Sequence, residues 1–416
     1  MQSNGRRVVI TGMGALTPLG NSVAEFWQGC LEGRSGIDYL TLFDTSAYPT
    51  RVAGEVKNFD PEAYIDRRDA RRMARFSQLA AAATREAIDQ AHLDLDQEDR
   101  TRVGVVLGNG IGAFANIEEA MHTIQNKGGM RIDPFFFPKM LPNMAAAQLS
   151  LLFGLKGYSN TVTTACAAGT QAMGEAFDIV RHGRADMAIT GGTEAALCEL
   201  GLAGFAVMRA MSTQNDPPQK ASRPFDARRD GFVAAEGAAI FVLEDLQHAL
   251  DRGALILAEL AGYGACNDAY HIVAPCADGE GAARAMHWAL EDAGTAPEEV
   301  DYINAHGTST PRNDLAETIA VKKVFGELAY RIPISATKSM VGHAFGGAGA
   351  IEALACVKSI ETGWIHPTIN LDYPDPECDL DYVPKVGRQA EVRVVLKNSF
   401  GFGGQNACLV FKRFED

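Results

Sequence analysis

The fold can be inferred from residues 160–183, "NTVTTACAAGTQAMGEAFDIVRHG". They have the pattern of a β-branched strand, a turn of very small residues and an alanine-rich helix. Residues 333–363, "PISATKSMVGHAFGGAGAIEALACVKSIETG", follow the same plan. Strands that alternate with helices indicate parallel pairing with helices packed on the sheet, and the recurrence indicates a duplicated α/β unit.

Other parts of the chain recur in the same order. A strand running into a glycine turn occurs at 6–18, "RRVVITGMGALTP", and again at 255–268, "LILAELAGYGACND". We therefore predict two halves, residues 1–254 and 255–416. The first half carries an insertion at about 112–150 that includes "RIDPFFFPKMLPNM". This aromatic, proline-broken insertion is predicted to be either a substrate cap or a subunit contact.

Composition narrows the class of protein. The 416 residues are 47% hydrophobic and 22% charged, which is typical of a globular protein, and no apolar run is long enough to span a membrane. A net charge of -14 argues against general nucleic-acid binding. Eight cysteines without a CxxC pair favour reduced thiols over a zinc or disulfide framework. We expect a cytoplasmic enzyme.

Positive charge is concentrated in one segment, "DRRDARRMAR", residues 66–75. Its arginines have helical spacing, so several would share one face. They form either a solvated helix face or a binding surface for an acidic partner. The arginines are Arg67, Arg68, Arg71, Arg72 and Arg75.

Cys166 is predicted to stand where a strand meets the N-terminus of a helix. Unpaired backbone amides and the positive end of the helix dipole favour a thiolate there, which would be a nucleophile. Its small neighbours would let the helix pack closely and a bulky thioester approach the sulfur. An inert buried cysteine is the alternative.

Two histidines lie in strand-to-helix turns of the second half. His306 is in "NAHGTST", and His343 is in a glycine-rich turn. Each alone could be structural, but two neutral imidazoles that donate Nε2 hydrogens to one thioester oxygen would stabilise an enolate. Lys338, near a strand end, would be buried if that strand is central, and would then tune the charge of the histidine pair; otherwise it is a rim lysine.

The tail "KNSFGFGGQNACLVF", residues 397–411, places Phe400 and Phe402 among glycines. It could supply an oxyanion donor and an aromatic gate, or be a plain hairpin. Two glycine-rich turns fail to complete a GxGxxG dinucleotide motif, and no P-loop, HExxH or GxSxG motif occurs.

These motifs together resemble the β-ketoacyl-acyl-carrier-protein synthases of thiolase fold, most closely the synthase II type of bacterial fatty-acid elongation. The resemblance extends from "VVITGMGALTPLG" to "NSFGFGGQNA" and includes "TACAAG", "NAHGTST", "TKSMVGHAFGGAGAIE" and "ASRPFDARRDGFVAAEGA". It implies a thiolase-like α/β fold with five layers, αβαβα, and two mixed sheets.

The resemblance also implies a reaction and its residues. Cys166 would take the acyl chain as a thioester, with the amides of Cys166 and Phe400 as the oxyanion hole. Malonyl-acyl-carrier protein would lose CO2, and His306 and His343 would stabilise the enolate. The product would be a 3-oxoacyl chain two carbons longer, made without a cofactor. The residues expected to support this site are Lys338, Glu352, Asp314 and Thr308.

The family's binding surfaces are carried over in the same way. The partners implied are acyl carrier protein and a second copy of the chain, with neither nucleic acid nor membrane. The acyl pocket would be lined by Ile111, Phe137, Phe205 and Phe402, with Phe400 as gate. The patch for the carrier protein would be the arginines of 67–75 with Lys127, Arg131 and Arg209. Some members hold a structural monovalent cation at positions matching Asn304, Glu352 and Asn398, although Lys397 beside Asn398 argues against it.

Three rival functions are weighed. A thiolase would need a second catalytic cysteine, and Cys408 lies inside a strand-like run instead. A chain-length partner subunit would lack the nucleophile. A type II polyketide ketosynthase has the same motifs and mechanism, so it stays as the alternative function.

Overall fold

The computed structural model describes residues 5–415, which contain a large sheet and two small two-stranded sheets. The strands are β1 (Val8–Leu16), β2 (Ile37–Tyr39), β3 (Val52–Gly54), β4 (Val103–Gly108), β5 (Ser159–Val162), β6 (Met187–Glu194), β7 (Gly237–Asp245), β8 (Ala258–Asn267), β9 (Tyr302–Asn304), β10 (Ile334–Ser335), β11 (Trp364–Ile365), β12 (Arg388–Gln389), β13 (Val394–Gly401) and β14 (Gln405–Lys412).

The helices range from single turns to four turns. They are α1 (Val23–Leu31), α2 (Arg67–Ala70), α3 (Arg75–Gln90), α4 (Phe114–Lys127), α5 (Phe136–Met140), α6 (Met144–Phe153), α7 (Ala168–Arg181), α8 (Glu199–Val207), α9 (Leu246–Asp251), α10 (Glu280–Asp292), α11 (Pro311–Phe325), α12 (Lys338–Val341) and α13 (Ala348–Thr362). Between residues 5 and 415, none is both long enough and apolar enough to cross a membrane.

The strand order confirms the duplicated α/β unit. The large sheet runs β10-β9-β13-β14-β8-β1-β7-β6-β4-β5. From its centre outward, the first half reads β1-β7-β6-β4-β5 and the second reads β8-β14-β13-β9-β10. In both halves the two inner pairings are antiparallel and the two outer ones parallel. Each position in one half therefore has a counterpart in the other.

Each half contributes a mixed half-sheet, as expected, and the two half-sheets of five strands are joined at their inner edges into one continuous sheet. β1 and β8 are antiparallel neighbours, and three residue pairs join them: Val8 with Leu260, Val9 with Glu259, and Ile10 with Ala258. Both strands begin their half, and their backbone groups would be unpaired at an edge if the sheets were separate. Pairing the edges satisfies those groups.

The layers agree with the five expected. Helices α3 and α6 cover the first half-sheet, and α10 covers the second, with α11 packed beside α10. Helices α7 and α13 lie between the halves and contact strands of both. Small residues allow this: a Cβ at Gly169 of α7 would lie 3.0 Å from the backbone nitrogen of Ala350 in α13. Because α13 is buried on nearly all sides, it has no polar face.

The insertion at 112–150 forms α4, α5 and most of α6. Helix α6 packs on α3 through Ala145, Ala146 and Leu149. The segment between α4 and α6 leaves large apolar side chains in solvent, since Met130 is 98% and Phe137 66% exposed. Apolar side chains exposed together in one segment are typical of an interaction surface.

The arginine segment does not form one helix face. Helix α2 ends at Ala70 and α3 begins at Arg75, so the spacing is broken between them. Arg75 turns inward and donates two hydrogen bonds to Glu236, both 2.7 Å long. Because Arg75 binds a buried carboxylate, it does not belong to the predicted surface patch. Arg67, Arg68 and Arg71 are exposed.

Candidate active site

A cavity of about 620 Å³ opens where the two halves meet. Cys166 from the first half lines it, together with His306, His343 and Phe400 from the second. The groups that the sequence singled out thus share one cavity. The duplicated topology explains this, because corresponding strand-to-helix turns of the two halves face each other.

Cys166 lies in a turn, residues 165–167, between β5 and α7. Ala165 has a φ of 50°, a left-handed conformation that is unusual for alanine and marks a tight corner. The end of β13 lies against this corner. A Cβ at Gly401 would be 3.1 Å from the Cys166 nitrogen, so only glycine permits the approach. The Phe400–Gly401 peptide thereby lies beside the Cys166 amide.

The resting charge of Cys166 differs from the sequence-based expectation. Burial raises the pKa of the Cys166 thiol to about 12, although the Lys338 ammonium and a backbone hydrogen bond at Phe402 lower it. Loss of solvent thus outweighs the favourable groups. The free protein holds a neutral thiol there and not the thiolate that the helix terminus alone suggests.

This pKa predicts how fast Cys166 reacts with iodoacetamide. The rate should rise about tenfold per pH unit between pH 7 and pH 9, without a plateau, because the thiolate fraction does. Lys338→Met should slow alkylation at each pH, since it removes a cation that lowers the pKa of the thiol. Mass spectrometry of the Cys166 peptide measures the rate, with Lys358→Met as control. A plateau near neutral pH would instead indicate a resting thiolate.

His306 is held by the side chain of Lys338. The Lys338 Nζ lies 3.2 Å from His306 Nδ1 and donates to the His306 carbonyl oxygen at 2.7 Å. An ammonium can only donate, so Nδ1 must accept. The proton of the neutral imidazole is therefore on Nε2, the atom that can act as a donor.

His343 is held by the backbone of the other half. Its nitrogen donates to the Val233 carbonyl at 2.7 Å, and the Ala235 nitrogen donates to the His343 carbonyl at 2.9 Å. Its ring meets the ring of His306 edge-on, with centroids 5.5 Å apart and planes at 84°. The two rings therefore lie side by side in the cavity wall, and the backbone of His343 is fixed by hydrogen bonds to the first half.

Both imidazoles are neutral at physiological pH. Burial lowers the pKa of His306 and of His343 well below the usual value, and the nearby Lys338 and Lys397 ammoniums lower both further. Protonation of His343 also disfavours protonation of His306. Neutral imidazoles can donate a hydrogen to a developing oxyanion without first losing a proton.

Lys338 is buried for a different reason from the one expected. It follows β10, which is at the edge of the sheet, and begins α12. Its side chain is nevertheless only 1% exposed, because it points toward α13 and forms an ion pair with Glu352. Glu352, expected to support the histidines, thus compensates the charge of the group that holds His306.

Aromatic side chains form much of the remaining wall. Phe205 stacks on Phe345 with centroids 4.9 Å apart, and Phe400 meets His306 edge-on at 5.6 Å. Ile111 and Phe402 also line the cavity. Phe137 was expected here as well, but it points into solvent in the insertion and does not line the cavity in this chain.

The two remaining supporting residues differ in position. Thr308 lines the cavity, and its hydroxyl is 2.9 Å from that of Thr310. Asp314 lies behind the wall, where it accepts a hydrogen bond from the Phe225 nitrogen at 2.9 Å, and burial raises its pKa. Asp314 fixes the segment that carries Phe225 and does not reach the cavity.

The sequence models of one family match nearly the whole chain. The N-terminal domain of beta-ketoacyl synthase matches residues 5–249, and the C-terminal domain matches residues 257–372. The chain belongs to the β-ketoacyl synthase family. The resemblance inferred from the motifs is confirmed.

Relatives of this β-ketoacyl synthase are similar over their full length. A 3-oxoacyl-[acyl-carrier-protein] synthase 2 of Synechocystis is 51% identical over 410 residues, 99% of each chain. The protein of that name from Staphylococcus aureus strain COL is 50% identical over 413 residues, 99% of this chain and 100% of that one. A solved complex of a type II PKS acyl-carrier protein with its ketosynthase matches with a TM-score of 0.90, at 38% identity over 99% and 100% of the two chains.

The cation expected in some members of the family does not fit this synthase. Successive side chains of a strand point to opposite faces, and Lys397 points to the face where its Nζ lies 3.0 Å from Glu352 Oε2. Asn398 therefore points away and donates to Glu317 at 3.1 Å. Asn304 donates to the Tyr302 hydroxyl at 3.0 Å. Glu352 thus already has an ammonium beside it, and the Asn398 side chain is directed to Glu317 on the other face of the strand.

Sequence reasoning missed two buried carboxylates of this synthase. Glu317 accepts hydrogen bonds from the nitrogens of His306 and Gly307, both 2.8 Å long, and burial raises its pKa to about 7. Glu194 accepts one from the Gly110 nitrogen at 2.8 Å, and burial raises its pKa to about 8. Glu317 follows Asp314 by one helical turn, a spacing that could have indicated a shared buried face.

The remaining cations of the expected carrier-protein patch are exposed, except for Arg72, which is half-buried. Lys127 and Arg131 lie at the end of α4 and in the turn after it. Arg72 connects this insertion to α2, since its guanidinium lies 5.0 Å from the centre of the Phe135 ring. Arg209 lines the cavity itself and is exposed. The cations of the patch thus lie near α2, at the end of α4 and, in the case of Arg209, at the cavity.

Proposed function

We propose that this chain catalyses the decarboxylative Claisen condensation that elongates fatty acyl chains by two carbons. The observation that carries the proposal is the shared cavity, in which a thiol faces two neutral imidazoles, one of them held as an Nε2 donor by Lys338. Its relatives named 3-oxoacyl-[acyl-carrier-protein] synthase 2, at about half identity over the full length, support it.

The first step transfers the acyl chain to the enzyme. Cys166 Sγ forms a bond to the thioester carbonyl carbon, and the bond to the carrier's sulfur breaks. The thiol proton leaves with the carrier thiol. The amides of Cys166 and Phe400 stabilise the oxyanion, which the closeness of the Gly401 backbone to the Cys166 nitrogen supports.

The second step forms the carbon–carbon bond. The malonyl thioester loses CO2, and the electron pair of the broken bond becomes an enolate whose oxygen accepts hydrogens from His306 and His343. The enolate carbon attacks the acyl carbonyl on Cys166. The 3-oxoacyl thioester leaves on the carrier, and the Cys166 thiolate takes a proton from solvent. Phe400 is the gate between the two steps.

A type II polyketide ketosynthase is the second candidate function. The similarity to a ketosynthase solved with its acyl-carrier protein favours it, but that chain is 38% identical and the fatty-acid relatives are about 50% identical. The two candidates differ in the product. A single condensation per acyl chain supports fatty-acid elongation, and repeated condensation without reduction supports the polyketide function.

The proposal extends to the binding partners of the chain, its division into halves and its cellular location. The acyl and malonyl groups arrive on acyl carrier protein, as the solved complex of a relative supports. Two copies of the chain pair, which the exposed apolar side chains of the insertion support. The division into halves at 254 and 255 follows the strand order. Eight free cysteines support a reducing, cytoplasmic location.

A direct assay tests the function. The purified protein is incubated with acyl- and malonyl-acyl-carrier protein, and the products are identified by mass spectrometry. We expect CO2 and a 3-oxoacyl thioester two carbons longer. Transfer without condensation, or condensation of free acids, would contradict the proposal. A series of acyl chain lengths in the same assay gives the preferred substrate.

The arginines of the predicted carrier-protein patch should affect substrate capture and not chemistry. Reversing charge with Arg68→Glu and Arg72→Glu together should raise KM for carrier-bound substrate roughly tenfold, with kcat unchanged, because the acidic carrier loses an attractive surface. Arg331→Glu, which alters an exposed arginine of the other half, is the matched control. An unchanged KM would leave the segment as a solvated surface.

A further inference from the structure

Lys397 is a second buried lysine near the histidine pair. It lies in β13 and its side chain is fully buried. Its Nζ donates to Thr170 Oγ1 at 2.5 Å and to the Ser399 hydroxyl, and it lies 3.0 Å from Glu352 Oε2. Two hydroxyl oxygens thus accept hydrogen bonds from the ammonium, and the Glu352 carboxylate forms an ion pair with it.

Glu352 connects this lysine to the active site. One carboxylate oxygen forms the ion pair with Lys338, and the other is the one near Lys397. Lys338 in turn holds His306 at Nδ1 and at its carbonyl oxygen. The chain of contacts runs from Lys397 through Glu352 and Lys338 to the imidazole that faces the cavity.

The surrounding chain leaves a space fitted to the ammonium. A Cβ at Gly349, one helical turn before Glu352 in α13, would lie 3.2 Å from the Lys397 Nζ and 2.3 Å from Thr170 Oγ1. Glycine at this position therefore allows α13 to pack over the lysine head group. The oxygens of Glu352, Thr170 and Ser399 are also the kind of ligands that a free potassium or ammonium ion would use.

We propose that the Lys397 ammonium is a built-in cation that positions Glu352, and through it Lys338 and His306. The proposal rests on the proposed function of the histidine pair. Lys397 is a positioning residue, since it touches neither substrate nor reacting atoms. The chain needs no monovalent cation at this place, because the charge is covalently attached. Removing the side chain should create a dependence on added cations.

Lys397→Ser tests this in the full-length protein. Malonyl decarboxylation and condensation are measured in tetramethylammonium, potassium and ammonium chloride at equal ionic strength. The parent should be equally active in all three. The variant should lose roughly tenfold or more of kcat in tetramethylammonium, with KM unchanged, because the imidazole is misplaced. Potassium or ammonium, which fit the space, should restore most of the loss.

A stability measurement gives a readout independent of catalysis. Potassium should raise the thermal unfolding midpoint of Lys397→Ser relative to tetramethylammonium, since a bound ion stabilises the native state, and should leave the parent's midpoint unchanged. Lys397→Met, which fills the space without charge, should be slow in every salt. Lys358→Met changes a partly exposed lysine of α13 that pairs with Glu361, and should behave like the parent.

Three results would overturn the proposal. The first is that the activity or the unfolding midpoint of the parent depends on the cation. The second is that Lys397→Ser has the parent's rate in all salts, and the third is that Lys397→Ser is slow and no cation restores its rate. If Lys397→Ser does not fold, a Lys397→Met protein with the parent's decarboxylation rate overturns it, and a slow one supports it. A parent inactive on carrier-bound substrates in every salt would instead refute the proposed function, while the midpoints still test the internal cation.

Discussion

Cys166→Ala is expected to reduce condensation at least about a thousandfold, because no other thiol can form the acyl-enzyme at this site. The covalent step should disappear with it, so mass spectrometry should detect no acyl adduct on the protein. Malonyl decarboxylation should persist, since His306 and His343 are unchanged and the truncated side chain leaves the cavity open. The split between the two activities is the signature of a nucleophile.

Cys276→Ala is the matched control, because Cys276 is a partly exposed thiol in a different segment. It should retain the parent's condensation rate and the acyl adduct. A Cys166→Ala protein that condenses as fast as the parent would place the nucleophile elsewhere. Loss of both condensation and decarboxylation, with a lowered unfolding midpoint, would assign Cys166 a structural role.

His343→Ala is expected to have the converse effect. Malonyl decarboxylation should fall about a hundredfold to a thousandfold, because one of two donors to the enolate oxygen is lost. Acylation of Cys166 should continue, since the thiol and the neighbouring amides are untouched. Radiolabelled acyl transfer and CO2 release measure the two steps separately.

The control for this variant is His287→Ala, which removes an exposed imidazole from α10. It should match the parent in both steps. Because His343 is buried and bridged to Val233 and Ala235 through its backbone, truncation should leave those hydrogen bonds intact. Equal loss of acylation and decarboxylation would mean that the imidazole supports the fold and not the enolate.

The duplicated topology and the three central side chains could be predicted from sequence. Periodicity, small residues and glycine turns are local signals that can be recognised in the sequence. Cys166, His306 and His343 all lie in strand-to-helix turns, which the predicted duplicated topology places together. Registers between distant strands are not local. The pairing of Val8 with Leu260 depends on the packing of both halves, so the joined sheet could not be predicted from either strand.

The charge states and the burial of side chains were harder to predict, because they depend on how far each residue lies from solvent in the folded chain. The helix terminus beside Cys166 is visible in sequence, but the loss of solvent that raises its pKa is not. In the sequence, Arg75 cannot be distinguished from the other arginines of the patch. Its partner Glu236 is distant in sequence and lies beside it only in the folded chain. Phe137 lies in an aromatic segment that the sequence cannot orient relative to the cavity.

The central ladder between β1 and β8 restricts how the enzyme can open. Two lobes joined only by a linker could swing apart about a hinge, but here such a motion would break backbone pairing in the middle of the sheet. A long acyl chain therefore has to enter and leave through the mouth of the cavity. The proposed gating is thereby limited to single side chains and short loops, such as Phe400 at the end of β13 and Phe402 just beyond it, which both line the cavity.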